Sequence, residues 1–410
     1  MKQSHPYPSV SHPRRMRAAL AAAALGIAAV GMSLTATAAT ASVEPTPPVD
    51  DPKRVVYVEV NSNDMSNVAD YTLEGTLRPA FDIAVIFAAN INYDTEKGAA
   101  YLHLNERVTE TLENADSQIR PLQQRGTKVL LSVLGNHQGA GIANFTSRED
   151  AAAFADELAA VVDQYGLDGI DFDDEWSKYG ENGTAQPNES SFVHLVDELR
   201  QRLGDDKLIT LYNIGPAAEA TEFDGIRAGD LLDYAWNPWY GSWDVPQIPG
   251  MDAGQLAAGA VDLTRTPQAT AAAFAERTVE EGFGALVTYN LTAGDHSGYI
   301  SSLTEPLTGH ATAHRAPWYD VDVEAAATCA GGDVKLKVLV DSADPETLSA
   351  EVISSIGTRS STGIVAGEPR AIVQHAKHGA VADGSLTVRI MGAEGGTAEL
   401  ALPYQVPACR

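Results

Sequence analysis

Cysteine and positive charge are what this sequence has least of. Only Cys329 and Cys409 occur in 410 residues, both in the last quarter. Neither belongs to a CxxC pair or sits near a histidine pattern, so a structural zinc site or a redox dithiol is not the organising feature. In an exported chain the two are expected to pair as a disulfide, closing a loop of roughly 80 residues and contributing about 4–5 kcal/mol in the chain-entropy account. Lys and Arg total 28 against 55 Asp and Glu, a formal net charge of −27. Nucleic acid and anionic membrane surfaces both require a basic face, so neither is expected as a partner. No glycine-rich phosphate loop follows any apolar run, which argues against a doubly wound nucleotide-binding sheet. No repeat points to a solenoid.

Apolar runs long enough to span a bilayer are also missing beyond the N-terminus. There, Lys2, Arg14, Arg15 and Arg17 precede the small apolar stretch Ala18 to Leu34, and Ala36-Thr37-Ala38 offers a small-x-small cleavage site. Residues 1–41 therefore read as a secretory signal peptide, and the mature protein is expected outside the cell. Residues 42–52, rich in Pro and acid, read as a linker.

What is present, at 44% hydrophobic residues, is ordinary for a globular chain. Val- and Ile-rich runs at Arg54–Val60, Phe81–Ile91, Lys128–Gly135, Leu167–Glu175, Lys207–Ile214, Asp233–Tyr240 and Gly284–Leu291 read as strands. Helical periodicity covers Val108–Arg125, Ala151–Tyr165, Ser190–Leu203 and Thr270–Glu281. The alternation predicts an α/β fold, a (β/α)8 TIM barrel over residues 53–315. From 316 to 410 the texture becomes short strands separated by Gly, Asp and Ser turns, predicting a small all-β sandwich with no legible role of its own.

In such a barrel the site forms at the C-terminal ends of the strands. Asn90, Asn92, Asn136, His137, Asp173, Glu175, Tyr212, Asn213, Asn237, Tyr240, Tyr289 and Asn290 all fall at predicted strand ends. Asn, Tyr and Trp bond and stack in ways that suit a sugar. The densest chemistry lies in Tyr165 to Trp176, YGLDGIDFDDEW. On a strand, Asp171, Asp173 and Glu175 share one face at steps of roughly 6.6 Å. Like charges so close cannot all ionise normally, and at least one should hold a proton near neutrality, as a general acid must. Acid and neighbour are too close together to flank a glycosidic bond as acid and nucleophile, so the second carboxylate reads as a helper in substrate-assisted hydrolysis. On spacing alone a Mg²⁺ or Ca²⁺ site stays open.

Asp168 to Glu175 resembles the DGxDxDxE signature of glycoside hydrolase family eighteen, the chitinases and endo-β-N-acetylglucosaminidases. Longer segments resemble the endo-β-N-acetylglucosaminidase H group of that family: Phe81 to Thr95, Lys128 to Gly141, Asn182 to Asn188, Leu211 to Ala218 and Asp233 to Gly241. The resemblance runs from about Val55 to Leu307 and leaves out the C-terminal sandwich. It implies that Glu175 is the acid and later the base, that Asp173 orients the substrate's acetamido group, and that Asp171 tunes Asp173. It also implies an acetamido contact from Asn237 with an aromatic of the same strand, either Trp239, where relatives usually carry Tyr, or Tyr240. Trp176 likewise replaces a usual Tyr. Asn136, Tyr212, Tyr289 and His137 complete the substrate-binding candidates. The implied activity is hydrolysis of the β-1,4 bond between the two core N-acetylglucosamines of high-mannose or hybrid N-linked glycans, by a monomer without metal or other cofactor. A chitinase and a non-catalytic glycan-binding protein are the alternatives.

Overall fold

The computed structural model describes residues 51–330, 333–377, 382–393 and 395–407. The predicted signal peptide lies outside them, as does Cys409. Strands β1 (Lys53–Glu59), β2 (Ile83–Asp94), β3 (Lys128–Gly135), β4 (Gly169–Asp173), β5 (Leu208–Tyr212), β6 (Tyr234–Trp236), β7 (Leu256–Ala257), β8 (Ala260–Asp262) and β9 (Ala285–Tyr289) form one parallel sheet. They pair in the order β7-β6-β5-β4-β3-β2-β1-β9-β8. Only Ala258 and Gly259 separate β7 from β8, so the two ends of the sheet meet in one broken stave and the sheet curls into a nearly closed barrel.

Helices α1 (Glu106–Glu113), α2 (Ala115–Gln118), α3 (Arg120–Gln124), α4 (Arg148–Tyr165), α5 (Ser191–Leu203), α6 (Gly215–Glu219), α7 (Gln268–Glu280) and α8 (Ser297–Thr308) lie between the strands. α4 starts and stops where its sequence signals do: Ser147 accepts from the Asp150 N–H at 3.1 Å, and Gly166 closes the helix at φ 61°. The predicted helix Val108–Arg125 is three short ones instead. Pro121, which has no N–H to give, opens the third. The predicted strand Asp233–Tyr240 shrinks to β6 because Asn237 turns the chain and Pro238 cannot donate to a ladder. β2 overruns the barrel and folds back as Ala99–His103, an antiparallel hairpin beside the mouth.

Two apolar layers hold this frame. One lies between sheet and helices, with Ile170, Phe172, Phe154 and Phe192 fully or almost fully buried; the other fills the barrel with Val55, Tyr57, Val85, Leu130, Trp236 and Val287. At Gly169 the backbone stands at φ 155°, and a Cβ there would collide with the Leu208 carbonyl of β5, so only glycine lets the two strands pair.

Among the described residues seven antiparallel strands follow: β10 (Val321–Ala330), β11 (Asp333–Ser342), β12 (Leu348–Ser354), β13 (Gly357–Ile364), β14 (Arg370–Lys377), β15 (Gly384–Met391) and β16 (Thr397–Tyr404). They make sheets β10-β11-β14 and β13-β12-β15-β16. Leu336, Val338 and Ile372 of one sheet meet Val352, Val388 and Ile390 of the other in a separate core. Leu77, from the barrel segment after Tyr71–Leu73, packs into that core. Its carbonyl accepts from Trp318 Nε1 at 3.1 Å, and the Gly75 carbonyl accepts from the Ala401 N–H at 2.9 Å. The Arg125 guanidinium sits 5.1 Å over the Trp318 ring, close to where β3 begins, so the sandwich abuts the barrel on the side opposite the strand C-termini.

Candidate active site

β4 lies between β3 and β5, with Asp171 in register with Ser132 on one side and Thr210 on the other. Alternation turns all three inward at one height. Asp171 is fully buried, and its carboxylate accepts from Ser132 Oγ at 2.7 Å, Thr210 Oγ1 at 2.6 Å and the Tyr57 hydroxyl at 2.8 Å. Tyr57 OH in turn accepts from Trp236 Nε1 at 2.6 Å. Burial pushes the Asp171 carboxyl up to about 7, while the three hydroxyls pull it down.

One layer higher, Leu134, Asp173 and Tyr212 are in register. They open into a cavity of about 170 Å³ that Tyr57, Phe87, Glu175, Trp176, Tyr240 and Tyr289 also line. Asp173 is 2% exposed, and its Oδ1 has no hydrogen-bond partner among the described residues. Burial, then the charges of Glu175, Asp171 and Asp174, push its carboxyl well above the usual range, although the Glu175 N–H pulls the other way. Glu175 is half-buried just past the strand, and burial raises its carboxyl too. The remaining wall is aromatic: Tyr240 stacks on Tyr289 at 5.2 Å, and Tyr57 meets Phe87 and Tyr212 edge-on at 5.8 and 6.0 Å.

The other predicted residues divide. Tyr212, Tyr240 and Tyr289 line the cavity. Asn237 is not among the residues that line it. Its Nδ2 donates to the Ala258 carbonyl at 2.9 Å and to the Ser242 carbonyl at 3.2 Å, its Oδ1 accepts from the Trp239 N–H at 2.8 Å, and the residue is 1% exposed. The turn that ends β6 and its neighbours take both amide hydrogens and one lone pair of Oδ1. Trp239 is more than half exposed and outside the cavity wall, Asn136 donates to Asn92 Oδ1 at 2.8 Å, and exposed His137 packs 5.9 Å from the Trp176 ring. Tyr57, Ser132, Thr210, Phe87 and Leu134 were not anticipated. Tyr57 was the detectable one, as a phenol inside the run RVVYVEV.

The carboxylates do not form a chelate. Hydroxyl donors occupy Asp171, Asp174 points to the opposite face, and no set of three ligating side chains comes together among the described residues. Larger grooves, about 540 Å³ beside Glu106–Asn114 and about 430 Å³ by Arg200 and Asp230–Tyr234, are open and lack a comparable pairing of buried acids. Chemistry, not size, marks the site.

Residues 53–252 match Glycosyl hydrolases family 18. An endo-beta-N-acetylglucosaminidase of Flavobacterium sp. (strain SK1022) is 50% identical over 275 residues, covering 67% of this chain and 86% of that protein. The chain belongs to glycosyl hydrolase family 18. This family 18 hydrolase is also 35% identical over 233 residues to endo-beta-N-acetylglucosaminidase F1 of Elizabethkingia meningoseptica, covering 56% of this chain and 68% of that one. Among solved structures, Bacteroides thetaiotamicron EndoBT-3987 in complex with Man9GlcNAc2Asn substrate superposes with a TM-score of 0.58 at 28% identity, over 66% of this chain and 68% of that one. The same protein with Man5GlcNAc product gives 0.58 and 28% over 64% of its length, so the match spans about two-thirds of that enzyme.

Proposed function

We propose that this family 18 hydrolase is an endo-β-N-acetylglucosaminidase that cleaves the β-1,4 bond between the two core N-acetylglucosamines of high-mannose or hybrid N-linked glycans, with retention and with the substrate supplying the nucleophile. One observation carries the reading. Glu175 has a carboxylate neighbour on the same side, Asp173, and among the described residues that line the rest of the cavity, Tyr57, Phe87, Leu134, Trp176, Tyr212, Tyr240 and Tyr289, none is a carboxylate. A retaining enzyme with its own nucleophile needs a second carboxylate on the far side of the bond.

Glu175 gives its proton to the glycosidic oxygen as the C1–O bond breaks. The acetamido oxygen of the bound sugar attacks C1, forming an oxazolinium. Asp173 Oδ1, buried and unpartnered, accepts the acetamido N–H and, once ionised, faces the positive charge. Asp171, held by three hydroxyls beneath it, sets the field in which Asp173 ionises. Water then adds to C1 while Glu175 takes its proton, and the configuration is retained. The relatives named endo-beta-N-acetylglucosaminidase, and the Man9GlcNAc2Asn complex of EndoBT-3987, support the choice of glycan.

The decisive assay is mass spectrometry of a high-mannose glycoprotein incubated with wild type and with Glu175→Gln. The wild type should leave one N-acetylglucosamine on each site and the variant should leave the glycan whole. Equal activity in the two would refute the mechanism, and cleavage of chitin oligomers alone would assign a chitinase instead. Export rests on the signal in residues 1–41 and is tested by the N-terminal sequence of secreted protein. A Cys329–Cys409 bond is supported by Cys329 Sγ lying 3.6 Å from the Pro407 carbonyl, two residues short of Cys409. Alkylation without reductant should leave the intact mass unchanged.

A further inference from the structure

We propose that Asp174 is a positioning residue that holds Glu175 in its proton-donating place from the far side of β4, a role that rests on Glu175 being the acid. The Glu175 carboxyl has no side-chain hydrogen-bond partner among the described residues, so its place is set by the backbone that carries it. That backbone is unusual. Trp176 and Lys178 both stand in the left-handed region, at φ 60° and 51°, where non-glycine residues are held only by their surroundings.

Two sets of bonds hold it there. On one flank the end of β3 and the loop after it bond to it: the N–H groups of Gly135, His137 and Gly139 donate to the carbonyls of Glu175, Trp176 and Ser177 at 3.1, 2.7 and 2.8 Å. The fit is close enough that a Cβ on Gly135 would lie 2.5 Å from the Glu175 carbonyl oxygen. On the other flank is Asp174, 5% exposed. Its Oδ2 accepts from the Ala217 N–H at the start of α6 at 2.8 Å. Its Oδ1 accepts a short bond from the Tyr179 hydroxyl, with Ser177 Oγ at 3.5 Å. Tyr179 OH itself accepts from the Ala143 N–H at 3.2 Å. Asp174 thereby ties both ends of the 174–179 turn to each other, to α6 and to the loop after β3. Both of its oxygens act as acceptors, which a carboxylate provides and a carboxamide does not.

The geometry predicts a defect specific to proton donation. A misplaced acid matters for a leaving group that must be protonated and little for one that departs as a stable anion. Asp174→Asn and Tyr179→Phe are therefore compared with wild type on two substrates: the native N-glycan and a 4-nitrophenyl glycoside of the same non-reducing portion. Asp174→Asn should lower kcat on the native glycan by about 100-fold, the cost of misplacing a reacting group by about 1 Å. KM should stay within about 2-fold and the nitrophenyl glycoside should lose less than about 3-fold, within the span left when acid catalysis, worth roughly 10²–10⁴, is not needed. Tyr179→Phe, which keeps the carboxylate and the Ala217 bond, should show the same pattern at smaller amplitude. Equal losses on both substrates, or no loss on either, would overturn the inference and leave Asp174 a structural residue. Glu175→Gln run in parallel separates the two levels. If it discriminates between the substrates and Asp174→Asn does not, the positioning role alone fails. If Glu175→Gln does not discriminate, the acid assignment fails and the positioning role with it.

Discussion

Asp171 sets two opposing forces against each other, and their balance can be measured as a slope. Burial favours the neutral acid, whereas the hydroxyls of Tyr57, Ser132 and Thr210 all favour the carboxylate. In the structure burial wins, raising the group from 3.8 to about 7. A carboxyl whose folded pKa is raised contributes stability that is present below the unfolded pKa and is lost as pH rises toward the folded one. The window is therefore about pH 4 to 7. The loss is about three units at 1.36 kcal/mol each, or about 4 kcal/mol, of which about 3–4 falls between pH 4 and 7. Asp171→Asn cannot ionise and removes this loss. It also removes a charge that raises Asp173, which acts in the same direction. Urea unfolding of wild type and variant at pH 4, 5, 6 and 7 should show the variant gaining about 3–4 kcal/mol on wild type across the series, whatever the constant offset from exchanging carboxylate for amide. A flat difference, within about 1 kcal/mol, would mean the hydroxyls balance burial. A trend of opposite sign would mean they outweigh it, and burial would no longer be the dominant force on Asp171.

Tyr57→Phe should destabilise the fold by about 1–3 kcal/mol, because it leaves the buried Trp236 Nε1–H without its acceptor and removes a donor from Asp171; thermal or urea unfolding reads the loss. Gly169→Ala should cost more than about 3 kcal/mol, or abolish soluble expression, since its Cβ and the Leu208 carbonyl cannot occupy the same space. With the Glu175 carboxyl raised by burial, kcat/KM should hold to a pH above the usual glutamate range and then fall as the acid ionises. A profile falling already near pH 4.5, the ordinary glutamate value, would contradict that direction.

The barrel was legible because β1, β2 and β3 are continuous runs rich in Val, Ile and Leu, the pattern of strands covered on both faces, whereas β7 and β8, two and three residues long, were too short to read. The hairpin Ala99–His103 was not, since AAYLH is only half-buried and lacks alternation. Nor was β13, whose residues GTRSSTGI are almost all exposed and take their strand form from β12 alone. At the site, the period-2 spacing was enough to place Asp171 and Asp173 on one face. It could not show that the Asn237 amide would bond backbone groups around its own turn. It also could not reveal Ser132 and Thr210, which gain meaning only from the register that sets them on either side of Asp171.

The segment around Leu77 has a practical corollary for anyone rearranging this enzyme. By chain order Leu77 belongs to the barrel, but its side chain packs against the sandwich core and its carbonyl receives the Trp318 indole. A cut near residue 316 would strip a barrel-borne leucine of its packing and open the floor beneath β3, where Arg125 meets that indole. The smallest transplantable C-terminal module is therefore discontinuous. It includes the short stretch from Gly75 to Leu77, and a chimera that exchanges the sandwich has to exchange that stretch with it.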